Sequence, residues 1–156
     1  MAAVTVTSNQ VQNGPVFGDR PGLNVAYAQH VWSGGPASRT SLSVSVCLQM
    51  LAIPNGARLV DLAVEVQGAT GQTQGGYAVG DSSSTARYVA TTSLTTSRVV
   101  TRATTGLGFR YSLTESDFTT FDTIDLTFSG ALTSTLTLCV EMVAYYVMDR
   151  ANQGEV

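Results

Sequence analysis

The chain has 156 residues, the size of one domain, and a domain this long buries roughly two-thirds of its unfolded surface, enough to fold without staples. Hydrophobic residues make up 44% and charged ones only 12%, the net charge is -3, all eight basic residues are Arg, and Ser with Thr fills roughly a quarter of the positions. Disorder needs low hydrophobicity with high net charge, a membrane span needs about 18 apolar residues in a row, and nucleic-acid binding needs a basic stripe; none of the three is present, since even Leu136 to Met148 is broken by Glu141.

Residues 1–36 mix short apolar runs with Asn13-Gly14-Pro15, Arg20-Pro21-Gly22 and Ser33-Gly34-Gly35-Pro36. Such dense turn chemistry suits an extended N-terminal arm with one or two short strands. Met1 to Gln10 has no positive residue and no continuous apolar block, so it does not read as a secretory signal, and the product is expected to stay in the cytoplasm until assembled into something larger. The arm carries Val4, Val6, Val11, Val16, Phe17, Tyr27 and Trp32. Aromatic anchors of this kind suit the centre of a protein interface, although Tyr27 and Trp32 would equally close the end of the domain's own core.

Residues 37–148 change to alternation with period two, the mark of strands that bury one face. In Ser41 to Met50 the apolar set is Leu42, Val44, Val46, Leu48 and Met50, against Ser41, Ser43, Ser45, Cys47 and Gln49. A turn at Ile53-Pro54-Asn55-Gly56-Ala57 leads into Arg58 to Gln67, with Val60, Leu62, Val64 and Val66 expected inward and Asp61, Glu65 and Gln67 outward. Shorter strands are expected at Gly76–Val79, Arg87–Ala90, Ser97–Ala103 and Gly108–Leu113, with one helical turn at most over Glu115 to Phe121. Thr123 to Ser129 follows, with Ile124, Leu126 and Phe128 on one side.

The last strand, Ser134 to Met148, sets Leu136, Leu138, Val140 and Met142 against Thr135, Thr137, Cys139 and Glu141. Its length predicts either a bend or a far end, Tyr145-Tyr146-Val147, that pairs outside the domain. Residues 149–156 form a polar C-terminal tail. The β-branched content agrees with strands, and about eight of them with irregular links and no repeat predict an all-β, jelly-roll-type β-sandwich.

Residues with catalytic potential do not assemble into a catalytic set. His30 has no metal-ligating or carboxylate partner in its own strand, so it reads as a structural or interface histidine. Gly80-Asp81-Ser82-Ser83 resembles the start of a serine-esterase motif, but the lone His lies upstream of the Ser, and the same residues suit a polar loop. Cys47 and Cys139 lack a redox spacing and read as free thiols. Asp117, Asp122 and Asp125 match no calcium loop and read as a solvated turn. Arg98 and Arg102 share one strand face, enough for a salt bridge or a protein contact. No enzyme activity, cofactor or metal is expected.

The order of certain segments carries more information. Ile53-Pro54-Asn55-Gly56-Ala57-Arg58-Leu59-Val60-Asp61-Leu62 is followed by Val79-Gly80-Asp81-Ser82 with Arg87-Tyr88-Val89. Then come Gly108-Phe109-Arg110-Tyr111, Asp122-Thr123-Ile124-Asp125-Leu126-Thr127 and Leu136-Thr137-Leu138-Cys139-Val140-Glu141-Met142. Over roughly residues 40–148 this series resembles the small β-sandwich capsid-decoration, or cement, proteins of tailed bacteriophages.

The resemblance implies a virion protein, a homotrimer on the exterior of an icosahedral head that clamps neighbouring major capsid subunits, with no catalytic residues. Contacts to the capsid or between subunits would then fall to Val4, Val6, Val11, Phe17, Tyr27, Trp32, Tyr145 and Tyr146. The alternative is a carbohydrate- or receptor-binding jelly roll of a head fibre or tail, using Tyr77, Tyr88 and Phe109 from loops.

Overall fold

The computed structural model describes residues 4–7, 23–33, 46–54, 56–68, 75–95, 97–108, 121–129 and 137–148, without the side chains of 4–7, 32, 33, 46, 121 and 137. Among the described residues the strands are β1 Val4–Thr7, β2 Leu23–Ser33, β3 Val46–Pro54, β4 Ala57–Gln67, β5 Gly76–Asp81, β6 Ser84–Ser93, β7 Val99–Arg102, β8 Phe121–Phe128 and β9 Thr137–Met148. They form a five-stranded sheet, β1-β3-β8-β5-β6, and a four-stranded sheet, β2-β9-β4-β7.

One nested pairing explains that order. β5 pairs with β6, β4 with β7, β3 with β8 and β2 with β9, all antiparallel, as in one long hairpin with its tip between β5 and β6. Rolling the hairpin up adds the β4–β9 and β5–β8 pairings and gives the two facing sheets of an eight-stranded jelly roll. The expected fold class is therefore the observed one. β1 is an addition outside this plan, parallel to β3 at the sheet edge, with Val4 opposite Val46.

The core lies between the sheets and comes from alternate positions. Leu48, Met50, Ile124, Leu126 and Phe128 face Leu62, Val64, Val66, Leu138, Val140, Met142 and Ala144, each almost wholly buried. Gly56, at φ 81°, lets the chain turn from β3 in one sheet to β4 in the other. Gly80 is required for a different reason. A Cβ there would run into the backbone of Ser84 and Thr85, so the β5–β6 hairpin closes only over a glycine.

Several expectations change. Leu23–Ser33, read as part of an arm of short strands, is an 11-residue strand paired with β9 along its length, and so belongs to the sandwich. β3 runs on to Pro54, because a register shift between Gln49 and Leu51 lets Met50 and Leu51 both turn inward. A second shift, between Leu59 and Asp61, reverses the parity at the start of β4. Ala57 and Leu59 are buried there and Val60, expected inside, is exposed. The far end of β9 does not pair outside the domain, since Tyr145, Tyr146 and Val147 pair with β2 on one side and β4 on the other. Gly108 lies after β7 at φ 84°, outside any strand. Residues 109–113, 115–120 and 149–156 lie outside the described residues.

Candidate interaction face

The outer face of the four-stranded sheet is built by strand parity. In β2 the small side chains Ala26 and Ala28 point to the core, which leaves Leu23, Val25, Tyr27 and Val31 pointing out, each more than half exposed. The register sets Leu23 opposite Val147, Val25 opposite Tyr145 and Tyr27 opposite Val143, and Val143 in turn opposite Ala63 of β4. Adjacent outward rows on β2 and β9 therefore form one continuous apolar surface. Val100 of β7, 59% exposed, faces the same way opposite Glu65. Exposed large hydrophobics occur on β2, β4 and β7 and at Leu107 just beyond β7; among the residues whose side chains are described none lies on the five-stranded sheet.

Charges border this surface and neutralise one another. Glu65 and Glu141 stand directly opposite in the β4–β9 register, a repulsive arrangement on its own. Arg98 bridges both of them, and Gln29 Nε2 donates to Glu141 Oε1 at 2.7 Å from the β2 side. Arg102 pairs with Asp61 at 2.5 Å. The shared face expected for Arg98 and Arg102 is thus a pair of cross-strand ion clusters. Around the apolar rows, the outward charges are Arg58, Arg98 and Arg102 against Asp61, Glu65 and Glu141.

The five-stranded sheet has a different outer side. Ala78, Thr123 and Asp125 point outward by parity yet are at most 8% exposed. Burial pushes the Asp125 carboxyl up to about 6; hydrogen bonds from Thr123 and Cys47 oppose the shift, and the charges of Asp122 and Asp81 reinforce it. Its Oδ1 has no hydrogen-bond partner. Burial also raises the Cys47 thiol, to about 11, with the Asp125 charge adding to it.

Gly80-Asp81-Ser82-Ser83 forms the tip of the β5–β6 hairpin. Asp81 Oδ1 accepts from the amides of Ser83 and Ser84 and from Ser83 Oγ, while Oδ2 accepts from Arg87 Nε at 2.5 Å. Burial alone would raise the Asp81 carboxyl, but the bonds from Arg87, Ser83 and Ser84 hold it below its ordinary value. Ser82 Oγ donates to Asp122 Oδ1 at 3.3 Å. These groups fasten a turn, the loop reading of the motif.

His30 lies on β2 of the other sheet, and burial lowers its pKa. Cys47 and Cys139 are free thiols on the outward sides of opposite sheets. No group of His, Cys, Asp and Glu among the described residues is arranged to hold a metal ion; Asp117 lies outside them.

Of the expected contact residues, Tyr27 and Tyr145 come together on the bare face in neighbouring rows. Tyr146 points the other way and is core, 3% exposed. Trp32 lies on β2 and Val4 and Val6 lie on β1, while Val11 and Phe17 fall outside the described residues. The residues missed by sequence reasoning are Leu23, Val25, Val31, Val100 and Val143; for the first three the signal was an eleven-residue stretch, Leu23–Ser33, with no charge and alternating large apolar side chains, whereas Val100 and Val143 join the face only through the strand register. Tyr77 and Tyr88, expected as exposed sugar-binding aromatics, are buried at 2% and 0%, with the Tyr77 hydroxyl on Thr101 Oγ1. Both belong to the core, and Phe109 lies outside the described residues.

The sequence matches no protein-family model and no curated protein. Two solved structures share the fold. A chain of the cyanophage Pam1 capsid asymmetric unit is 19% identical, with a TM-score of 0.62, 86% of this chain and 91% of that one being covered. A chain of the capsid of Ralstonia phage GP4 is 15% identical at a TM-score of 0.63, with 95% of this chain and 100% of the other covered.

Proposed function

We propose that this chain is a structural virion protein without enzymatic activity, a decoration or cement protein on the outside of an icosahedral phage head. The observation that carries the reading is the fold shared, over most of each chain, with chains found in two phage capsids. The bare apolar sheet face supports it, since a protein that works by adding contact area needs a surface it can bury cheaply. Neutral and apolar side chains lose far less on burial than unpaired charges do.

In this reading the chain assembles as a homotrimer and bridges neighbouring major capsid subunits. By binding the mature shell and not its dissociated subunits, it stabilises the shell by mass action. Neither nucleic acid nor membrane takes part. Phage particles made without the protein should rupture at a lower temperature than complete particles, and adding purified protein back should restore the difference. Equal rupture temperatures for bare and decorated particles would refute the proposal.

A further inference from the structure

We infer that the outer face of the four-stranded sheet, centred on Val25, Tyr27, Val143 and Tyr145, packs against a second copy of this chain. The inference rests on the self-assembly proposed above and adds the surface through which it occurs.

Charge is the first argument for a copy as the occupant. The face carries three Arg and three carboxylates, five of the six joined in the Arg98–Glu65–Glu141 and Arg102–Asp61 clusters. It is therefore formally neutral on a chain whose net charge is -3, so the excess acid lies elsewhere. Copies of an acidic chain repel one another over most of their surface, and around a threefold axis this face adds no repulsion of its own. A strongly basic or acidic partner would find no opposite charge to pair with on a neutral face, whereas a copy of this acidic chain is spared repulsion there.

Size is the second. Strands of 11 and 12 residues make up β2 and β9, with β4 and β7 beside them. At about 3.3 Å per residue and about 4.8 Å between strands the four cover a flat footprint of roughly 500–700 Å², before the corrugation of the side chains is counted. A standard interface takes about 800 Å² from each partner, so the face is of the right order.

Sedimentation velocity of the full chain from micromolar to near-millimolar concentration tests the inference, with Val25→Asp and Tyr27→Arg as variants and circular dichroism as the check on folding. The wild type should assemble, and each variant should sediment as a folded monomer. Should a charged variant fail to fold, Tyr27→Ser takes its place, with at least a tenfold weaker association expected. A wild type that stays monomeric throughout, or folded variants that assemble as the wild type does, would overturn the inference. Co-sedimentation with bare phage shells separates this from the proposed function. A chain that assembles through the face but leaves shells bare defeats the virion reading alone, and a monomer that still decorates shells defeats this inference alone.

Discussion

The two sheets share one core and differ on their outer sides. Along β5 and β8 the five-stranded sheet is buried on both faces, to the point that Asp125 is held with an unpartnered oxygen. The four-stranded sheet leaves Leu23, Val25, Tyr27, Val31 and Val100 in the open. Burial satisfied within the chain goes to stability, while apolar area left bare is available to an assembly. The difference separates the side where burial is completed within the chain from the side on which the proposed contact falls.

The largest expected effect lies on the stabilising side. Asp81→Ala removes the acceptor of two backbone amides and of Arg87, whose side chain is 23% exposed, and should cost about 3 kcal/mol in urea unfolding. Asp125→Asn should act in the opposite sense. The folded-state value, about 6, lies above the ordinary 3.8, so the protonated group favours folding fully below the ordinary value, and that contribution is lost as pH rises through the folded value. Asn carries no such penalty. The variant should gain roughly 1–3 kcal/mol over the wild type at pH 7.5, with a flatter stability profile between pH 4 and 6. A wild-type profile in this window after substitution would mean that Asp125 is not the group responsible.

On the contact side the folding effects should be small. Arg98→Ala leaves Glu65 and Glu141 facing each other, but Arg98 is 59% exposed and solvent screens the pair, so the loss should be about 0.5–1 kcal/mol and shrink in high salt. Val25→Ser should change the unfolding free energy of the monomer by less than about 0.5 kcal/mol, since its side chain is already in water. The same change should weaken association at least tenfold. A large folding loss from Val25→Ser would erase the contrast between the two sheets.

The fold was largely legible because period-two alternation is strong wherever apolar side chains face in and polar ones out, as in β8 and β9. β2 escaped because its pattern is inverted: the core side carries Ala26 and Ala28, and the larger Val25, Tyr27 and Val31 point out. A parity count finds the alternation there but assigns it no core. Val60 was misplaced because a register shift is invisible to such a count. Burial of Asp125 and Thr123 was illegible for a related reason, since alternation gives the side of a strand and not what lies over it. Tyr27 and Tyr145 were reachable as exposed aromatics, whereas the surface that joins them needed the β2–β9 register.

The central claim is a structural role on the outside of a phage head, and its most direct test is to see the protein there. Cryo-electron microscopy of particles assembled with and without the chain should give difference density of the size of this jelly roll on the exterior of the shell, seated over junctions between major capsid subunits. Identical maps, or difference density confined to the interior, would contradict the account.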